Sequence, residues 1–242
     1  MTALPTSIAD FVLPNVADKK WLNDCVEGNN TFPSHNTKGF LLYGTNGCGK
    51  TNLACALPTL IEYANASAKD KVAYNFEYVF DGETVSITPN QQHLPSFNIR
   101  TNFVGCGSLR AKEVDDLIDD IDRDMRNQLF VDGFTNQNFQ YFIFDEYDEL
   151  KTNQSKFKAL MTQTHWNKSI FILTTNHIDK VEIGVKDRLK PIRFGKVDYE
   201  LYKPIATKYV PKVASLNWND AKQVIDAQNG SIRQLIRWCE TL

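Results

Sequence analysis

The chain has 242 residues, of which 42% are hydrophobic, 23% charged and 12% aromatic. That is enough apolar material for one large domain, or one domain plus a small one, and it excludes wholesale disorder. With 27 basic and 29 acidic residues the formal net charge is −2, which excludes a globally basic coat for nucleic acid while leaving a local basic patch open.

Cys25, Cys48, Cys55, Cys106 and Cys239 are odd in number and contain no C-x-x-C pair, against a secreted disulfide framework or a structural zinc site. Met1 to Asp10 has neither the basic start nor the apolar centre of a signal peptide. No run approaches the roughly 20 apolar residues of a membrane span. The expectation is a soluble, cytoplasmic protein with no membrane partner.

In chain order, apolar runs bounded by turn residues alternate with helix-period stretches, which predicts an α/β fold with a parallel sheet covered by helices. The first strand is Gly39-Phe40-Leu41-Leu42-Tyr43, breaking at Gly44. A helix from Lys50 into Ala64 follows, with Pro58 as a kink or early stop. Val72, Tyr74, Phe76, Tyr78 and Phe80 alternate up to the turn dipeptide Asp81-Gly82, so a β-hairpin is expected over 72–88. Then come a strand from Phe97 to Val104 and an acidic helix from Leu109 to Gln128. Buried strands are expected at Gln140 to Phe144 and Ser169 to Thr174, and a last short one at Ile192 to Phe194. From Asp198 onward the pattern is helical. The expected division is an α/β nucleotide-binding domain over 1–195 and a small helical lid over 196–242.

Gly44-Thr45-Asn46-Gly47-Cys48-Gly49-Lys50-Thr51 matches G-x-x-x-x-G-K-[ST] at every position. Such glycines let a loop curl so that successive N–H groups converge on phosphate oxygens. Lys50 then supplies a point charge to the β- and γ-phosphates of ATP, Thr51 a hydroxyl for Mg²⁺, and the following helix its positive end. Phe144-Asp145-Glu146 ends the second apolar strand. An Asp there is placed to hold the magnesium ion through water, and Glu146 to orient or deprotonate an attacking water. Asp148 and Glu149, just beyond, read as surface charges.

Asn176 ends the next apolar strand and could reach the γ-phosphate and the lytic water together. Alone, it would cap a loop. Arg188 stands just before the last strand, either as a solvated arginine or as a finger on a transferring phosphoryl group. Arg233 starts the last helix, either exposed or folded back onto the nucleotide. Spacing does not decide between these alternatives.

This order of motifs resembles the AAA+ ATPases, and within them the small ATPase subunit of DNA polymerase clamp loaders, especially of the bacteriophage type. The likeness rests on Ile8 to Pro14, Ile143 to Asp148, Ser169 to Asp179 and Lys186 to Gly195, besides the phosphate loop. The resemblance implies that Asn176 is sensor 1, Arg233 is sensor 2 in a helical lid, and Arg188 is a finger acting in trans on a neighbour's ATP. It also implies that the segment around Val12 and Pro14 packs on adenine, although an ordinary core contact serves Val12 as well. The implied partners are other AAA+ subunits, a sliding clamp and primer–template DNA.

Four features depart from the family pattern, the first being the hairpin over 72–88, which looks like an insertion whose aromatic face either meets a partner or packs on the core edge. Clamp loaders usually read Ser-Arg-Cys where this chain has Asp187-Arg188-Leu189. The basic-aromatic stretch ahead of the core is reduced to Thr2-Ala3-Leu4-Pro5. Family subunits continue past the sensor 2 helix into a ring-holding collar that this sequence does not include, so either a shortened chain or an assembly held by other means is expected. Rival functions of the same superfamily are a helicase loader or replication initiator, and a transposition or defence ATPase. From a different class, the rival is a scaffold in which ATP only orders an interface.

Overall fold

A computed structural model describes residues 7–34, 36–75, 85–90, 97–131, 139–150, 154–162, 168–197, 199–209, 217–227 and 230–241. Its centre is a five-stranded, wholly parallel sheet in the order β5-β6-β7-β1-β8. The strands are β1 (Gly39–Gly44), β5 (Thr101–Gly105), β6 (Gln140–Asp145), β7 (Ser169–Thr175) and β8 (Leu189–Phe194). In β7 every residue is buried, as expected of a central strand covered on both faces.

Alternation along the strands sends side chains to two cores. Phe40, Leu42, Tyr141, Ile143, Ile170 and Ile172 face α1 (Val16–Val26) and α2 (Lys50–Asn65), where Leu22, Leu53, Leu57 and Ile61 meet them. Leu41, Phe142, Phe144, Phe171 and Leu173 face α4 (Ala111–Val131) and α5 (Gln154–Thr162), which supply Val114, Ile118, Ile121, Phe157 and Leu160. Two short helices complete the core region, α3 (Ala68–Ala73) and α6 (Ile183–Lys186). The remaining helices are α7 (Tyr199–Tyr209), α8 (Trp218–Ala227) and α9 (Ile232–Glu240).

Four local expectations are revised. Pro58 neither stops nor ends α2; the helix continues to Asn65, with Pro58 buried in its interior. Its packing outweighs the lost backbone bond, a cost of about 3 kcal/mol. The strand expected from Phe97 to Val104 is two strands in different sheets, parted at Arg100. β4 (Phe97–Ile99) pairs antiparallel with β3 (Val85–Pro89), whereas β5 pairs parallel with β6. Val72 lies in α3 and is 79% exposed, so the antiparallel pairing begins at Tyr74, where β2 (Tyr74–Asn75) meets β3. The Asp81-Gly82 turn and the aromatic residues 76–80 lie outside the described residues. Finally, β8 starts three residues earlier than expected, because an edge strand tolerates Pro191 where a central one would lose a ladder bond.

The core also braces the end of β6. Phe157 is fully buried and meets Phe144 edge-to-face at 4.8 Å and Tyr147 at 5.7 Å, the residues on either side of Asp145-Glu146. Phe157→Ala should therefore lower the unfolding free energy by about 3–5 kcal/mol, measured by urea denaturation. A loss under 1 kcal/mol would mean that this aromatic cluster does not hold β6.

Candidate active site

Parallel strands bring their C-terminal ends to one edge of a sheet, and there the predicted residues meet. β1 runs into the phosphate loop, β6 ends at Asp145, and β7, lying between them, ends just before Asn176. The loop is built from backbone that side chains resist. Gly47 has φ +77°, and a Cβ there would collide with Ser231 and press on Arg233 at the start of α9. The Arg233 N–H donates to the Gly47 carbonyl at 3.2 Å, so the last helix is docked on the loop by its N-terminal end.

Lys50 is 7% exposed and curls back over the loop, donating to the carbonyls of Gly44 and Thr45 at 2.8 Å each. Burial pushes its ammonium below the usual lysine range, while Cys48, Asp145 and Asp148 pull it back up. An arriving polyphosphate would favour the charged form further. The Thr51 hydroxyl donates to Asp145 Oδ1 at 2.8 Å, and the Thr174 hydroxyl donates to the same oxygen at 2.6 Å. Thr174 Oγ1 in turn accepts from the Glu146 N–H at 3.0 Å. These contacts tie the head of α2 to the ends of β6 and β7.

Glu146 has φ +56° and ψ 48°, the one non-glycine residue with positive φ among the described residues. Such a conformation costs on the order of 1–3 kcal/mol and persists only where the surroundings impose it. It turns the exposed Glu146 side chain toward the end of β5, where Oε2 lies 3.2 Å from the position of a Cβ on Gly107.

Asp148 is not a surface charge. It is 7% exposed, and its Oδ1 accepts from the Thr175 hydroxyl at 2.7 Å and the Asn176 N–H at 3.1 Å. Two donors at the end of β7 provide what water would have provided. Glu149 is exposed, as expected. Asn176 Oδ1 is buried and has no hydrogen-bond partner.

An open cleft of about 600 Å³ is lined by Gly44 to Gly47, Asn176, His177, Ser231, Arg233, Gln234 and Arg237. The sequence reading had singled out only Arg233 on the helical side. Arg237, four residues on, lies on the same helix face, a signal present in the sequence and passed over. Cys48 adds a second tether to this side, placing Sγ 2.8 Å from Thr45 Oγ1 and 3.3 Å from the Gly230 carbonyl.

Two predicted residues stand apart from the cleft. Val12 is 5% exposed, and it is its neighbour Phe11 that approaches the loop, 3.9 Å from the position of a Cβ on Gly49. Arg188 lies at the opposite edge of the sheet. Its carbonyl accepts from the Lys38 N–H at 2.7 Å, just before β1 begins. The six residues of β1 span about 20 Å between there and the phosphate loop. Its guanidinium bonds Thr162 Oγ1 at 3.0 Å and the Gly184 carbonyl.

No helix among the described residues is long and apolar enough to cross a membrane. No curated protein sequence matches the chain. Among solved structures, the Thermotoga maritima RuvB Holliday junction branch migration motor is similar with a TM-score of 0.57 at 14% identity, covering 98% of this chain and 63% of that one. A single-substitution variant of the same RuvB gives 0.59 at 14% identity, over 98% of this chain and 65% of that one. At such identity the likeness is one of fold, and this chain spans just under two thirds of the RuvB chain. Residues 40–196, most of the chain, match the family described as "ATPase family associated with various cellular activities". The chain belongs to that AAA family and is an ATPase with its five-stranded, helix-flanked P-loop fold.

Proposed function

We propose that the chain is an ATP-hydrolysing AAA+ subunit of an assembly that acts on DNA, most closely a clamp-loader-like subunit in viral DNA replication. The observation that carries this reading is the separation of Arg188 from the phosphate loop by a full strand length. An arginine on that edge serves a neighbour's nucleotide better than its own, as in a ring or arc of subunits. Residues 1–195 form the nucleotide-binding domain and 196–242 the lid.

In this reading the loop from Gly44 to Gly49 and Lys50 hold the phosphates of ATP, and the start of the chain around Val12 borders the base. Thr51 and Asp145 would hold Mg²⁺. They offer one hydroxyl and one carboxylate, a partial set of hard oxygen donors that phosphates and water complete. No cluster of three or more His, Cys, Asp or Glu able to hold a metal occurs among the described residues. When bound, the cation neutralises charge on the phosphates. Glu146 takes the proton of the attacking water, Asn176 orients that water, and Arg233 closes the lid on the γ-phosphate.

Arg233→Ala should weaken binding of a fluorescent ATP analogue by about 10–100-fold, the range for a lost charge-assisted hydrogen bond. Equal affinity in the two proteins would make Arg233 an exposed helix residue. The assembly itself is tested by recovering partners with and without a non-hydrolysable ATP analogue. A sliding clamp retained only with the analogue is the expected result. The likeness to a protein described as a branch migration motor favours a second reading, a DNA motor, for which branched DNA would be retained and no clamp.

A further inference from the structure

We infer that Asp148 is the positioning residue of the Asn176 amide, an inference that rests on the proposed sensor role of Asn176. Asp148 sits in a single 3-10 turn, Tyr147–Glu149, entered through the left-handed Glu146. The turn carries it off the end of β6 and under the end of β7. There the His177 N–H donates to Thr175 Oγ1 at 2.9 Å, the Thr175 hydroxyl donates to Asp148 Oδ1 at 2.7 Å, and the Asn176 N–H donates to that same oxygen at 3.1 Å. One carboxylate oxygen thus holds the Asn176 N–H directly, and the residues on either side through the Thr175 hydroxyl.

What is held in place is an unsatisfied group. Asn176 Oδ1 is buried with no partner, beside a cleft shared with the phosphate loop. A buried amide oxygen without a partner costs free energy. The tether fixes the backbone from which this side chain meets the cleft. The same tether joins Asn176 to the turn that carries Glu146, so the proposed water-orienting amide and the proposed base share one rigid support. None of these hydrogen bonds involves Lys50 or the phosphate loop. Asp148 is one of four nearby groups acting on Lys50, and it favours the charged ammonium. Removing Asp148 leaves the phosphate loop and the Lys50 side chain in place, so affinity is expected to stay near parental and the loss to fall on turnover.

The experiment is a double-mutant cycle in ATP hydrolysis, with kcat separated from the affinity for a fluorescent ATP analogue. Asn176→Ala and Asp148→Ala are each expected to lower kcat by about 10²-fold, the cost of misplacing a catalytic group by an ångström. The double variant is expected to be no slower than Asn176→Ala alone. Asp148→Asn keeps an acceptor oxygen for both donors and should recover most of the lost rate. Should Asp148→Ala fail to fold, Thr175→Val removes the hydroxyl link at constant shape, and its loss should likewise vanish in the Asn176→Ala background.

Losses that multiply in the double variant, or an affinity that falls together with kcat, would overturn the positioning role and leave the sensor role standing. Parental kcat in Asn176→Ala would overturn the sensor role, and the inference with it.

Discussion

Arg188→Ala should bind ATP with parental affinity and lose turnover by about 10³–10⁵-fold, the worth of an arginine supplied to a transferring phosphoryl group. The geometry behind this expectation is the strand length between Arg188 and the phosphate loop of its own chain. Head-to-tail contacts close as rings or run on as helices, so hydrolysis by the parent should rise faster than linearly with protein concentration. The guanidinium is tied to Thr162 and Gly184 within its own chain, and so is presented at a fixed place on the surface rather than swinging freely. The decisive measurement mixes two inactive proteins. Arg188→Ala and Glu146→Gln together should regain part of the activity, because some interfaces then place an intact Glu146 opposite an intact Arg188. If the mixture stays inactive where the parent is active and oligomeric, Arg188 does not act in trans.

Glu146→Gln should leave nucleotide binding intact and lower turnover by about 10²–10⁴-fold, the range for a general base. Three features separate it from a simple surface carboxylate. It follows Asp145, proposed to hold the metal, its left-handed backbone is imposed by the surrounding structure, and its N–H is held by Thr174, which also bonds Asp145. Glutamine keeps the size and the backbone strain while removing only the ability to take a proton. The variant should therefore accumulate in the ATP-bound state, seen as slow loss of radiolabelled ATP from the isolated complex. Lys50→Ala is the contrast, since it removes a phosphate contact and should abolish binding and hydrolysis together. Parental turnover in Glu146→Gln would move the base to another group.

What the sequence determined by itself is local chemistry. The phosphate loop is legible because its glycines act through backbone conformation, and Lys50 and Thr51 through their side chains, within eight consecutive residues. The central strands are legible because a strand buried on both faces carries a continuous apolar run, as β7 does from Ile170 to Leu173. The tertiary structure alone decided which polar residues leave water. Asp148 and Glu149 are adjacent acidic residues in one run, yet only Asp148 meets Thr175 and Asn176, at the end of a different strand 27 and 28 positions away. The break of 97–104 into two sheets is of the same kind, since each half follows its own partner strand. For both Arg233 and Arg188, spacing left a solvated arginine and a phosphate-directed one equally open. Long-range docking of α9 on Gly47 set one beside the loop, and parallel topology set the other a strand length away. A residue's type and its near neighbours specify what it is able to do, but burial and distance across a sheet come from contacts that no short stretch of sequence contains.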